Sequence, residues 1–167
     1  MHRLRSGAFV ALAALICATA HAQTDNSRLL TPEKMWSLTR LGDPAITPDG
    51  RAAVVPVTTF DMAENKGLTD LWLVPVAGGD ARQLTSDKAS DNQPTVSPDG
   101  KWVAFISKRG DDSESQLYVI AIDGGEARRV TNIPTGVSVP KWFPASKRLA
   151  FVTEIWNVAV PPTATEP

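Results

Sequence analysis

A phrase of about a dozen residues recurs along this 167-residue chain and limits what it can become. "TPDGRAAVVPVT" begins at Thr47, "SPDGKWVAFISK" at Ser97, and "FPASKRLAFVTE" at Phe143. A second phrase repeats without a gap. "DLWLVPVAGGDARQLT" (Asp70 to Thr85) matches "QLYVIAIDGGEARRVT" (Gln116 to Thr131), 46 residues further on. Pro98 and Pro144 keep the same 46-residue offset, whereas Pro48 and Pro98 lie 50 apart. Four extra residues are therefore expected between Pro56 and Asp70. A fixed period of this length marks an array of one supersecondary unit.

Each phrase has a physical meaning. In Ser97-Pro98-Asp99-Gly100, proline presets φ, aspartate suits the next position and glycine accepts a left-handed backbone, which makes a tight reversal. "KWVAFIS" then alternates with apolar residues on both faces, Trp102, Ala104 and Ile106 on one and Val103 and Phe105 on the other. "LYVIAI" (117–122) does the same, and Asp123-Gly124-Gly125 is a second reversal. Short β-branched and aromatic runs between turns are strands buried on both sides. The more polar "EARRVT" is an outer strand. One unit is thus four short antiparallel strands, which predicts an all-β fold: an incomplete β-propeller of two four-stranded blades plus part of a third. A sandwich would leave one sheet face wet, and a generic β-meander is the weaker alternative. Pro56 and Pro75 fall inside strands of the first unit and remove ladder donors, so bulged or edge strands are expected there. With Ala145-Ser146 in place of Asp-Gly, the third turn is expected to differ.

The flanks carry other signals. Arg3 and Arg5 precede an apolar run, Ala8 to Ala20, which is too short to span a bilayer. Ala20-His21-Ala22 follows, so residues 1–22 are predicted to be a secretory signal peptide cleaved between Ala22 and Gln23. Bulky Ile16 before Cys17 argues against a lipoprotein. Residues 23–45 are expected to form a polar stretch and a short helix. In that helix Thr31 is the N-cap, Pro32 the first residue, and Leu30 and Met35 a hydrophobic staple. Met35, Leu38 and Leu41 form one face, and Gly42 ends it; its expected role is packing. The partial propeller is expected over 46–156, in units of about 46–91, 92–137 and 138–156. After Glu154 the pattern is expected to fail, leaving 157–167 an irregular proline-rich tail. Two units and half of another fall short of the about 4–8 blades of a closed ring, so the ring in this chain is expected to be unfinished.

Removing residues 1–22 from 167 leaves 145 and takes away His2, His21 and Cys17, the only imidazoles and thiol. That excludes a disulfide, a Cys or His zinc site, a Cys nucleophile and a Ser-His-Asp triad in the mature chain. Without Arg3 and Arg5, fifteen of the seventeen basic residues remain against eighteen acidic, a net charge of −3. Nothing in that balance favours nucleic acid or a membrane surface. No Gly-x-Ser-x-Gly occurs, and Gly136-Val-Ser-Val-Pro140 lacks the second glycine.

"LTPEKMWSLTRLGDPAITPDGR", "TDLWLVPVAGGDARQLT" and "QPTVSPDGKWVAFISKR" together resemble the N-terminal propeller of the prolyl oligopeptidase family of serine peptidases, in its secreted bacterial dipeptidyl aminopeptidase and acylaminoacyl peptidase branch. The resemblance covers Leu29 to about Trp156. Similar units occur in the periplasmic TolB propeller, but the Leu-Thr-Pro-Glu helix leading directly into the first blade favours the peptidases, because TolB carries a small α/β domain there. The resemblance implies an exported, periplasmic or secreted location. It also implies a partner that this chain lacks, a C-terminal α/β-hydrolase domain holding the triad, with the propeller as the cap that selects short peptides. No catalytic, cofactor or metal residue carries over, and the chain alone is expected to be inactive. A TolB-like periplasmic protein-binding propeller is the alternative.

Three groups remain as candidate sites. Asp111, Asp112 and Glu114 in "RGDDSES" suit a hard cation, although a solvated hairpin tip is the stronger reading. Glu154 beside Trp156 suits a peptide amine, against the simpler role of a strand-end residue. Trp36, Trp72, Trp102 and Trp142 suit sugar stacking, but Trp72 aligns with Tyr118 in the repeat, which favours the blade core.

Overall fold

The structure is a computed structural model that describes residues 29–155. The expected signal sequence, its Ala22–Gln23 junction, Trp156 and the tail lie outside the described residues. Residues from Thr31 onward form one compact unit.

Helix α1 spans Pro32–Ser37, with Thr31 capping it. The Thr31 hydroxyl accepts from Lys34 N at 3.3 Å and its carbonyl from Met35 N at 2.9 Å. The helix is shorter than its apolar spacing suggests. Leu38 is already extended, Arg40–Leu41 has become strand β1, and Gly42 caps nothing helical. Met35, Leu38 and Leu41 are all exposed. With Trp36 against Phe60 as its one ring contact, so short a helix buries too little to propagate, and pairing with the next sheet supplies the backbone bonds instead.

The rest is antiparallel sheet. β1 (Arg40–Leu41) and β2 (Ala45–Ile46) lie end to end along β3 (Ala52–Asp61), which pairs with β4 (Lys66–Pro75) and through it with β5 (Arg82–Gln83). β6 (Asp91–Val96), β7 (Trp102–Ser107), β8 (Gln116–Ala121) and β9 (Arg128–Arg129) form a second sheet in sequence order. β10 (Ser138–Trp142) and β11 (Leu149–Val152) form a third. The architecture is an open propeller: two four-stranded blades and two strands of another. The extra residues of the first unit lengthen its central hairpin, where the β3–β4 ladder runs to Asp61↔Lys66. The second blade has a loop at that place. Among the described residues no helix is long and apolar enough to cross a membrane.

The prolines behave differently from expectation. Pro56 is buried in an unbroken ladder opposite Leu71, and β3 is not an edge. Its carbonyl accepts from Gly42 N at 2.8 Å. The N–H and C=O of one strand residue point the same way, so the missing donor faces the gap between β1 and β2, where no ladder exists to break. Gly42 is needed there, because a Cβ would sit 3.1 Å from Pro56 Cβ. Pro75 simply ends β4. The bulges fall on the innermost strands instead, at Asn92/Thr95 and Ser138/Lys141. Gln93 and Val139 there have φ of 51° and 49°, each followed by a proline. Gln93 Oε1 accepts from Val139 N at 2.7 Å, which ties one bulge to the next.

The turns repeat closely. Thr47 and Ser97 each donate a hydroxyl to the aspartate two residues on, at 2.7 and 2.5 Å, and each hydroxyl accepts from the backbone N–H five residues on. These bonds lower the pKa values of Asp49 and Asp99, with the threonine or serine hydroxyl as the main cause. The third turn keeps the same backbone frame despite its changed residues. Phe143 N donates to Arg148 O and Ser146 N to Phe143 O, both at 3.0 Å. Ser146 takes the left-handed position at φ 56°, where Gly50 and Gly100 stand at 69° and 72°. Only the side-chain staple is lost, and Ser146 Oγ instead accepts from Asp99 N at 3.0 Å, across the blade boundary.

Two cores follow from the two-faced strands. Val103, Phe105, Tyr118 and Ile120 pack on Val54, Leu71 and Leu84 of the first blade. Ala104, Ile106, Leu117 and Val119 pack toward Val137, Trp142 and Leu149.

Candidate functional site

The seam between the first two blades gathers most of the buried charge. Asp91 opens β6 and is 0% exposed. Arg109, two residues past β7, meets it with Nη2 at 2.6 Å from Oδ2 and Nε at 3.3 Å from Oδ1. Arg109 Nε also reaches Ser107 Oγ at 3.2 Å. The guanidinium lies 5.1 Å from the ring centroids of both Phe105 and Tyr118. Two apolar rings thus roof an ion pair, and the aromatic faces favour the cation.

Asp112 forms a second knot. It accepts from the Tyr118 hydroxyl at 2.7 Å, from Arg109 N at 3.2 Å and from the Arg129 guanidinium. Burial pushes its pKa up, but Tyr118, Arg129 and Arg109 N–H outweigh burial and hold it low. Tyr118 moves the other way, to about 12, through burial first and Asp112 second. Asp70, on β4 of the first blade, is raised by burial and then by Asp91, against Gln83, Arg109 and Thr85. Its Oδ1 is buried with no hydrogen-bond partner. A cleft of about 380 Å³ opens over this seam, bordered by Asp87, Arg109, Tyr118 and Glu126.

This chemistry is that of a clamp. The carboxylates of Asp91 and Asp112 are engaged by arginines, Tyr118 holds its proton through the ordinary pH range, and Ser107 donates to Ser90 O at 3.2 Å. No imidazole or thiol occurs among the described residues. Asp112 is therefore not part of a solvated tip: it is buried and spent on Tyr118 and Arg129, while Asp111 and Glu114 are exposed. Among the described residues no three of His, Cys, Asp or Glu stand where they would hold a metal ion.

Glu154 is exposed, and its carbonyl accepts from Thr135 Oγ1 at 2.7 Å. The tryptophans do not share one site. Trp36 packs edge-on against Phe60 at 5.3 Å with Arg40 over both rings. Trp72 lies on the blade-one face opposite Leu71, turned away from blade two. Trp102 and Trp142 border a cleft between blades two and three. The Asp91–Arg109 pair had no sequence signal, since neither residue recurs at the 46-residue offset.

Antiparallel four-stranded sheets packed face to face, with apolar seams and turns in register, define a β-propeller domain. Comparison with known proteins narrows the class. The family described as the tricorn protease N-terminal beta propeller domain matches residues 66–159, more than half of the chain. The chain belongs to that family. Dipeptidyl-peptidase 5 of Porphyromonas gingivalis is 35% identical over 92 residues, 55% of this chain. The chain spans only 14% of that relative's length. Among solved structures, a putative TolB from Agrobacterium tumefaciens superposes with a TM-score of 0.56 at 22% identity, covering 73% of this chain and 40% of that one. An acylaminoacyl peptidase from Pyrococcus horikoshii gives 0.55 at 23% identity, covering 69% and 17%. At these identities the two structures share the fold with this chain.

Proposed function

We infer that this chain is the propeller part of an exported serine peptidase of the prolyl oligopeptidase type. In the whole protein it caps an α/β-hydrolase active site and restricts access to short peptides. The observation that carries this reading is the match to a dipeptidyl-peptidase over 55% of the chain. Export rests on the residues before Gln23, with cleavage after Ala22; protein recovered from the periplasm or medium with a different N-terminus would refute that step. Residues 46–156 form the propeller portion and 23–45 its entry.

The test is the nucleotide sequence beyond the codon for Pro167, followed by expression of the whole gene product. A Gly-x-Ser-x-Gly with later Asp and His, and release of dipeptides from a chromogenic substrate, are expected. A second reading, a TolB-like propeller that works by protein contacts, draws support from the 73% of this chain that the TolB structure covers. It predicts no Gly-x-Ser-x-Gly beyond Pro167, and no peptide turnover.

A further inference from the structure

The chain leaves each of the first two blades past the same position in the repeat, and the two blades fill that position differently. In blade two it is Gln116, buried at the start of β8, which holds the linker toward the third sheet. Its Oε1 accepts from Thr131 Oγ1 at 2.8 Å and from Ile133 N at 3.0 Å. Its Nε2 donates to Ile133 O at 2.8 Å and to Glu114 O at 3.2 Å. The amide is used as donor and as acceptor, and the linker is clamped at Ile133.

Forty-six residues earlier the same place holds Asp70, with Thr85 standing for Thr131 and Asp87 for Ile133. The frame is kept: Thr85 Oγ1 accepts from Leu71 N at 2.9 Å, as Thr131 Oγ1 does from Leu117 N at 2.9 Å. The clamp is not. A carboxylate has no proton to donate, and aspartate is one methylene shorter. Gln83 and Thr85 donate to Asp70, while its Oδ1 is buried without a partner. The linker of residues 86–90 is held in other ways. The Asp87 carboxyl folds back on Ala89 N at 2.8 Å. Ser90 accepts from Thr69 N through its hydroxyl and from Ser107 Oγ through its carbonyl, each at 3.2 Å.

The charges that face Asp70 leave it short of a counter-ion. Asp91, on β6, presents a second carboxylate, and Arg109, beyond β7, is the cation that acts on both. Its Nη2 and Nε already lie on Asp91. On the linker itself stand Asp87 and the exposed Lys88. Two carboxylates thus share one guanidinium, and a proton on Asp70 balances the charge.

We propose that Asp70 is a proton-binding site that keeps linker 86–90 closed as the neutral acid and lets it open when ionised, so that pH sets the shape of the cleft bordered by Ser86, Asp87, Arg109 and Tyr118. Solvent gives the proton and takes it back, and no other bond changes. The bound proton supplies the donor that the Gln116 amide supplies permanently in blade two. The linker is the cover that moves, because it lies between β5 and β6 and opens without breaking a ladder. Burial and then Asp91 raise the Asp70 pKa. The closed form is therefore fully favoured below the unfolded value and loses that advantage as pH rises through the folded one. The inference stands on the internal repeat and uses neither reading of the whole protein, so its failure leaves the peptidase reading standing.

Hydrogen–deuterium exchange of the whole gene product tests it, read on peptides covering 86–90 and 132–137 and corrected for the intrinsic pH dependence of exchange. Opening of 86–90 is expected to rise by up to about tenfold per pH unit from about pH 4, where an ordinary aspartate ionises, and to level off above the folded value. The 132–137 linker, held by Gln116, should show no such rise. Asp70→Asn should abolish the rise. Asp70→Gln, which copies blade two, should abolish it too and serves if the asparagine variant folds poorly. Asp91→Asn should move the levelling-off to lower pH, because it removes the like charge and frees Arg109 for Asp70. A flat profile for 86–90 in the parent, an unchanged rise in a folded Asp70 variant, the same rise in 132–137, or a shift to higher pH in Asp91→Asn would overturn the proposal.

Discussion

Replacing Arg109 by methionine tests whether the acid–arginine clamp holds blade two, where it ties the start of β6 to the end of β7. The substitution leaves Asp91, at 0% exposure, without its two charge-assisted bonds at 2.6 and 3.3 Å. Removing one partner of a buried ion pair costs about 3–5 kcal/mol, because the other charge stays buried and unpaired. The two cation–aromatic contacts at 5.1 Å add about 0.5–1 kcal/mol each, part of which the methionine sulfur recovers against the same rings. A loss of about 3–5 kcal/mol is a large fraction of a domain's ~5–15 kcal/mol. Asp91→Asn alone should cost less, since Arg109 reaches partial solvent, its side chain being 15% exposed. The double variant should then be more stable than the sum of the two losses by at least about 2 kcal/mol. Urea unfolding of the whole gene product, followed by tryptophan emission, measures all four corners. Strict additivity would mean that the pair contributes nothing as a pair and would refute the clamp.

Asp70→Asn should stabilise at neutral pH by about 1 kcal/mol, because the amide can satisfy a buried position whose oxygen now has no partner. Burial and Asp91 raise the Asp70 pKa, so its favourable contribution is present below the unfolded value and lost as pH rises through the folded value. The stability gap between parent and variant should therefore shrink as pH falls toward 4; a gap that widens would contradict the sign. Gly100→Ala should cost about 1 kcal/mol through the left-handed φ alone, since only Pro48 Cδ comes within 4 Å, at 3.8 Å; thermal denaturation reads it. Residues 23–167 made alone should self-associate, because both outer blade faces are apolar and β11 has an open edge. A monodisperse monomer with one sharp thermal transition would refute that expectation.

Much of the blade was legible because its signals are local. Turn glycines, a proline that presets φ and a period of two act within about ten residues, and the 46-residue offset multiplied them into three sheets. The two-faced apolar strands already implied neighbours on both sides, and Trp72 was assigned to the blade core through its match to Tyr118; Tyr118 is buried there, whereas Trp72 is half-buried. Other features were decided only when distant segments met. Helix α1 stops at Ser37 because nothing covers Met35 and Leu38. Pro56 is harmless because its missing donor faces the gap beside Gly42. Ser146 keeps a glycine's conformation because the flanking ladder and Asp99 hold it there. Asp112 reads in sequence as one more acid in a polar loop, and becomes buried only because Tyr118 and Arg129 close over it from strands six and seventeen residues away. Asp91 and Arg109 are eighteen residues apart and join only when β6 lies against β7. Local rules set each strand and turn, whereas a buried charge takes its meaning from partners that arrive through the folding of the whole sheet, because only there is water excluded and the pair forced to satisfy itself.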